Sequence, residues 1–332
     1  MSTQERILAL LLQTNHPISG QQIADQLGIS RTAVWKVIEQ LREQGYEITS
    51  HHKMGYHLTS ISKGLNNTQI RLNLDGSWKD LHIELFDQVT STNDVAKRFA
   101  IEHPKQAALF VATEQTQGRG RSGRPFHSHL SNGLYLSLVF QPMVQSIQEV
   151  PQFTLVAASA MVKALEELTD LSFKIKWVND LFLNGRKIGG ILTEATTDIE
   201  TQSISSLIVG IGLNLAGDFD EAPDNAKQVA GTIFGKTLPA DFNRNQLLNR
   251  FLHHMQIFIA EINQKSYLPY YEKHILGIGR HVHYIQNGWQ HEGVIEGINE
   301  EGHLLVRDLG GTLHTLFSQE VHFSSQQFTE TE

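Results

Sequence analysis

The chain reads as an α+β protein. It combines an N-terminal winged helix-turn-helix, a central mixed sheet with helices on one face, and a small C-terminal β-barrel. Three observations predict this. Residues 1–60 carry three helical patterns and then two short strands. Residues 68–270 mix β-prone and helical runs joined mostly by short turns; Asn184-Gly185 between apolar runs is the strongest short hairpin signal. Beyond about residue 276 only short alternating strands remain, with turns at Asn287-Gly288, Glu301-Gly302 and Gly310-Gly311. The domain boundaries expected from this are 1–62, 67–270 and 271–325, with a polar linker, ISKGLNN, at 61–67.

In the first segment ERILALLL is apolar and helical, and SGQQIADQL is a second short helix. Gly28-Ile29-Ser30 turns the chain, and Ser30 is a good N-cap for RTAVWKVIEQLREQG. Val34, Ile38 and Leu41 share one face of that helix, and Gly45 ends it. YEITSHHKMGYHL gives two strands around Lys53-Met54-Gly55. The outer face of the third helix carries Arg31, Thr32, Trp35 and Lys36, residue types that reach DNA edges and phosphates. With Ser30 they are the candidate DNA-binding residues. A small helical protein-interaction domain is the alternative, and Trp35 also fits a core position.

In the second segment LHIELFDQV alternates as a strand, and STNDVAKRFAIE opens a helix on Ser91, Thr92 and Asn93. ALFVATEQT and GLYLSLVFQ are strands on either side of a basic loop. QFTLVAASAMVKALEEL is a long helix with Leu155, Ala158, Val162 and Leu165 on one side, and SSLIVGIGLNLAG is a further apolar strand. Residues 217–231, GDFDEAPDNAKQVAG, are polar and read as a loop long enough to be functional or disordered.

Composition narrows the function. No apolar run approaches the roughly 18–20 residues that span a membrane, and the N-terminus lacks a leader pattern, so no membrane partner is expected. There are no cysteines, which excludes disulfides, thiolate metal sites and cysteine nucleophiles; a cytoplasmic protein is the simple inference. The net charge is −8, yet residues 1–63 hold six cations (Arg6, Arg31, Lys36, Arg42, Lys53, Lys63) against five acids (Glu5, Asp25, Glu39, Glu43, Glu47). DNA contact therefore belongs to this first segment and needs a dimer to reach useful affinity.

The basic loop is GRGRSGRPF, residues 118–126. It also spells G-x-G-x-x-G, but Pro125 follows at once, no helical period comes after it, and no acid lies about 20 residues on. A loop closing over an anion fits better, because glycines admit backbone N–H groups to phosphate and guanidinium forks bind its oxygens. There is no G-x-S-x-G, no P-loop and no H-E-x-x-H among the 17 histidines. His127-x-His129 and His281-x-His283 are alternating strand or loop pairs with no third ligand beside them in the motif. What remains is cationic: Arg119, Arg121, Arg124, Lys176 and Lys187. Such a set suits phosphoryl or nucleotidyl transfer, where positioning and charge neutralisation carry most of the catalysis. Thr92 and Asn93 also fit an ordinary helix cap, and Asp180 an ordinary turn.

The order helix-turn-helix, STN, QTQGRGRSGR, KWVND, KIGG, GIGLN and terminal barrel resembles the bifunctional biotin–protein ligases and biotin operon repressors over almost the whole chain. The resemblance implies a class II synthetase-like ligase domain and two half-reactions. Biotin and Mg-ATP give biotinyl-5′-adenylate, and a lysine of a biotin carboxyl carrier protein then takes the biotinyl group. ATP with Mg²⁺ and biotin enter as substrates, without a tightly bound metal. By motif position the biotin and adenylate contacts are Ser91, Thr92, Asn93, Gln115, Gly118, Arg119, Gly120, Arg121, Lys187 and Gly190. Phe126, Asn179 and Asn214 fall on the adenine side. Lys187 and Arg121 are the candidate charge-neutralising catalytic residues; Asp180 is the candidate Mg²⁺ ligand or proton acceptor. The resemblance also implies operator DNA as a partner and a homodimer in the adenylate-bound state. Three positions depart from the family pattern: Val178 where proline is usual, Phe126 where tryptophan is common, and Ser318-Gln319-Glu320 where Gly-Gly-Glu is expected. Two rivals stay open: a lipoate– or octanoate–protein ligase, against which the GRGRSGR loop and the winged helix argue, and a non-catalytic biotin-sensing regulator, against which Lys187, Arg121 and Asp180 argue.

Overall fold

The computed structural model describes residues 2–51, 54–72, 74, 76–128, 132–141, 149–197, 203–220, 222–318 and 321–329. Lys53, His129, Gln319 and Glu320 lie outside these, as does residue 221 of the 217–231 stretch. The chain divides into two compact units, Met1–Asp80 with Asn243–His253, and Leu81–Phe242 with His254–Glu332.

The first unit opens with α1 (Thr3–Gln13), α2 (Gly20–Leu27) and α3 (Arg31–Glu43), followed by an antiparallel hairpin of β1 (Glu47–His51) and β2 (Gly55–Ser60). Ser2, Ser19 and Ser30 each cap the helix that follows by accepting a backbone N–H. Gly28 ends α2 at φ 65°, the left-handed conformation that turns the chain toward α3. Ile7, Leu8, Leu11, Ile23, Val34, Ile38 and Leu41 form the core, as the spacing predicts. Gly55 is obligatory: a Cβ there would stand 2.1 Å from the Ile18 carbonyl, where Ile18 and Tyr56 exchange two backbone hydrogen bonds. The 61–67 linker is anchored in this unit. It leads into α4 (Asn67–Arg71), and the Asn66 N–H donates to Asn245 Oδ1 at 2.8 Å while Asn245 Nδ2 donates to the Gly64 carbonyl at 2.9 Å.

The second unit is built on a seven-stranded sheet ordered β3-β4-β5-β9-β8-β7-β6. The strands are β3 (His82–Val89), β4 (Ala108–Gln115), β5 (Asn132–Phe140), β6 (Lys174–Lys176), β7 (Asp180–Leu183), β8 (Arg186–Thr197) and β9 (Ile204–Ala216). Among the described residues of these strands only β3 and β4 pair in parallel, and the other pairs are antiparallel. Asn184 (φ 48°) and Gly185 (φ 71°) make the predicted two-residue turn between β7 and β8. Helices cover both faces, not one. Against Ile208 and Val139, α5 (Thr92–Glu102) packs Ala96 and Ala100. On the opposite face α6 (Val150–Leu168) meets Thr193 through Thr154 (Oγ1–Oγ1 2.8 Å) and Phe140 through Phe153. The reason is legible in β5 and β9: LYLSLVF and LIVGIGLNLA are apolar without alternation, the signature of a sheet buried on both sides.

The 217–231 stretch contains a helix, α7 (Asp224–Val229), rather than loop alone. It is short and polar, so it carries no apolar period. Further on, α8 (Arg244–Ala260) and α9 (Tyr267–His274) precede a five-stranded antiparallel sheet. That sheet is made of β10 (His281–Gln286), β11 (Trp289–Ile298), β12 (Leu304–Arg307), β13 (Leu313–Leu316) and β14 (Val321–Phe323), ordered β13-β12-β11-β10-β14. Among the described residues β13 and β14 are the two ends of this order.

Candidate active site

The floor of the site is a glycine-rich patch of β8 and β9. Gly190 pairs with Gly212, and Leu192 with Gly210. A Cβ on Gly210 would stand 2.0 Å from Asn93 Oδ1, and one on Gly212 would stand 2.7 Å from the Phe126 ring. Above this floor lies a cavity of about 660 Å³, a size suited to a small-molecule ligand. Ser91, Thr92, Asn93, Gln115, Arg119, Gly120, Arg121, Phe126, Asn179, Asp180, Lys187, Gly190 and Asn214 all line it. Gly118 does not line it. A Cβ there would meet Ser128 Oγ at 2.0 Å, so Gly118 instead lets the basic loop fold back on Ser128.

One end of the cavity is neutral and polar. Ser91 is the N-cap of α5 but makes no side-chain cap bond, so the STN triplet is more than a cap. The Thr92 N–H and hydroxyl both donate to Gln115 Oε1, at 2.7 and 3.1 Å. Asn93 donates through Nδ2 to Glu194 Oε2 at 2.7 Å, and Lys97 braces the same carboxylate at 2.6 Å. Ser137 Oγ lies 2.6 Å from Asn93 Oδ1 and 2.8 Å from Thr92 Oγ1, so one hydroxyl serves both side chains. These residues fix each other's rotamers before any ligand arrives.

The other end is charged. Asp180, on β7, sits with Oδ1 2.6 Å from Lys187 Nζ and Oδ2 3.5 Å from Lys176 Nζ. Lys176 also donates to the Phe323 carbonyl at 3.0 Å and to Ser325 Oγ at 2.8 Å. Burial pushes the Asp180 carboxyl up, but Lys187 and then Lys176 pull it further down, so its net position is below the ordinary carboxylate range. Burial lowers Lys176, with Asp180 opposing. A carboxylate already shared by two ammonium groups is a weak base, and its charge is satisfied. In this arrangement Asp180 places the two lysines.

The basic loop is folded. Gly120 N–H donates to the Arg124 carbonyl at 2.8 Å and Phe126 N–H to the Gly118 carbonyl at 2.9 Å, with Gly123 at φ 70°. Its three arginines separate. Arg119 ion-pairs with Asp94 in the first turn of α5. Arg124 Nη1 lies 3.2 Å from His322 Nε2. Arg121 feels the field of Asp180 and donates to the Ser318 carbonyl and, at 3.4 Å, to Asn179 Oδ1. Burial lowers its pKa, with Asp180 opposing. On the flank, Phe126 covers Gly190 and Gly212, while Asn214 donates to the Gly231 carbonyl at 3.1 Å. Its Oδ1 is buried with no hydrogen-bond partner among the described residues, an acceptor left for a ligand donor. Asn179 spends Nδ2 on the Ile191 carbonyl at 2.9 Å and so braces β8.

Sequence reasoning missed Ser137, Glu194 and the contacts from Ser318, His322 and Ser325. Ser137 had a signal, a lone polar residue inside GLYLSLVF. Ser318 stood out only as a departure from the family pattern, and Glu194, His322 and Ser325 had no signal, because they reach the site through long-range contacts.

In the first unit Arg31, Thr32 and Lys36 are exposed, and Trp35 is 53% exposed rather than in the core. Ser30 caps α3 through the Ala33 N–H at 3.1 Å. No helix among the described residues is long and apolar enough to cross a membrane.

Residues 85–214 match the biotin/lipoate A/B protein ligase family, and residues 3–57 match a helix-turn-helix domain. Fold and site together thus define a protein ligase joined to a helix-turn-helix. The chain is 35% identical over 297 residues to a bifunctional ligase/repressor, BirA, of Bacillus spizizenii, covering 89% of this chain and 90% of that protein. It is 30% identical over 307 residues to the Escherichia coli BirA, covering 91% and 92%. Among solved structures it is similar to a biotin protein ligase from Aquifex aeolicus in complex with biotin and ATP, at 27% identity and a TM-score of 0.59, over 73% of this chain and 99% of that one. The chain belongs to the bifunctional ligase/repressor family.

Proposed function

We infer that this protein is a biotin–[acetyl-CoA-carboxylase] ligase that also acts as a biotin-dependent repressor. One observation carries the ligase reading: a neutral, pre-bonded polar end and a lysine-rich charged end meet over a glycine floor in one cavity. The polar end suits the ureido ring of biotin. The charged end suits its carboxylate and a phosphate. A biotin carboxylate oxygen attacks the α-phosphorus of Mg-ATP; the bond to diphosphate breaks, leaving biotinyl-5′-adenylate. The ε-amine of a carrier lysine then attacks the acyl carbon, AMP departs, and the amine loses a proton.

Lys187 and Arg121 neutralise charge gathering on the carboxylate and α-phosphate, and Asp180 holds Lys187 for that task. Magnesium enters with ATP. The free Asn214 Oδ1 suits the amino group of adenine, with Phe126 beside it. No side chain needs to act as a nucleophile. The exposed α3 face, with Arg31, Thr32, Trp35 and Lys36, is the DNA-reading surface, and two copies of the adenylate-bound protein would match a two-fold operator.

The test mixes the full chain, Mg-ATP, a biotin-carrier domain and equal biotin, lipoate and octanoate, and weighs the carrier by intact mass spectrometry. A single biotin adduct is expected. A lipoyl or octanoyl adduct, or an unmodified carrier, overturns the reading. In the same assay Lys187→Ala should lose carrier biotinylation, by far more than any shift of its melting profile accounts for.

A further inference from the structure

We propose that the solvent face of the C-terminal sheet carries a site for a borderline divalent transition metal such as Zn²⁺, formed by His281, His283 and Glu292. His281 and His283 alternate on β10 and so project to the same face, while the residues beside them, Val282 and Tyr284, are buried. Glu292 stands on β11 directly opposite His283 in the register. His281 Nε2 and His283 Nδ1 each lie 3.6 Å from Glu292 Oε2. One ligand atom from each residue falls within 4.8 Å of the others. In a tetrahedral site with bonds of about 2.1 Å, neighbouring donors stand about 3.4 Å apart. The existing spacing is therefore close to what an ion would demand.

The chemistry of the set is specific. Two imidazoles and one carboxylate are the nitrogen and oxygen donors that zinc and its neighbours take, and they leave a fourth position for water. Hard cations such as Mg²⁺ prefer all-oxygen sites. The strand is also fixed in place: His283 N–H donates to Gln327 Oε1 at 2.7 Å, and Gln327 Nε2 donates back to the His283 carbonyl at 2.8 Å. These bonds fix the backbone from which His283 projects. The site is separate from the cavity residues. It is linked to them by the pairing of β10 with β14, whose Val321, His322 and Phe323 line the cavity wall. An ion there would brace the strand that carries this wall.

The experiment titrates metal-free full-length protein with Zn²⁺ by calorimetry, repeated on His281→Ala, His283→Ala, Glu292→Gln and a control, His291→Ala. Melting curves check that each variant is folded; all four positions are exposed, so folding should hold. One equivalent of Zn²⁺ should bind to the wild type and to the control. Each ligand variant should lose about a hundredfold in affinity or more, since loss of even an outer-shell partner costs about 10–100-fold. No saturable binding, or one equivalent that survives in both histidine variants, would show that the cluster is a histidine–carboxylate ion pair only.

Discussion

Asp180→Asn isolates the electrostatics of the site. The substitution keeps the side chain's shape and removes its charge. Lys176, whose side chain is 8% exposed, then has no counter-ion; Lys187, at 26%, can still turn to water. Breaking a buried pair by removing one partner costs about 3–5 kcal/mol. Lys176 keeps two neutral acceptors, Phe323 O and Ser325 Oγ, which places the cost near the lower end, about 3 kcal/mol. For a unit of roughly 240 residues each kcal/mol is about 2–4 °C, so the melting temperature of the second unit should fall by about 6–12 °C. The double variant Lys176→Met/Asp180→Asn removes both buried charges and should recover most of that loss. Scanning calorimetry on the full chain reads both.

The pH dependence carries a sign. The folded pKa of Asp180 lies below the ordinary aspartate value of 3.8. Its contribution is therefore complete above 3.8 and is lost as pH falls through the lower folded value. The gap between wild type and Asp180→Asn should be flat near neutrality and close in strong acid. An Asp180→Asn melting temperature within 2 °C of wild type, or a double variant no better than the single, would refute the reasoning.

Three further outcomes are expected. Gly210→Ala forces Asn93 aside, because its Cβ would sit 2.0 Å from Asn93 Oδ1; biotin affinity measured by calorimetry should drop about tenfold or more, the weight of one hydrogen-bonded group. Ser137→Ala leaves Asn93 Oδ1 without its donor in a buried site and should cost about 1–3 kcal/mol in urea unfolding of the second unit. Lys36→Ala and Trp35→Ala should leave the melting profile unchanged and weaken operator binding, with the Lys36 variant lowering the slope of log affinity against log salt by about 1.

Local physics settled much of this protein in the sequence alone. Ser30 capping α3, the Val34–Ile38–Leu41 face and the Asn184-Gly185 turn each follow from neighbours a few residues away. The absence of cysteine, of a P-loop and of a G-x-S-x-G narrowed the chemistry to positioning and charge. The motif order then pointed to the residues that line the cavity. Tertiary structure decided what those residues do. The three arginines of one nine-residue loop take different partners, Asp94 for Arg119, His322 for Arg124, and the Ser318 carbonyl with Asn179 for Arg121, because sequence proximity says nothing about which distant element each guanidinium meets. Asp180 became a counter-ion because β6 and β8 flank β7 and bring a lysine to each side of it. Helices cover both sheet faces because β5 and β9 are apolar on both, a pattern visible in the sequence that takes meaning only once the strands lie side by side.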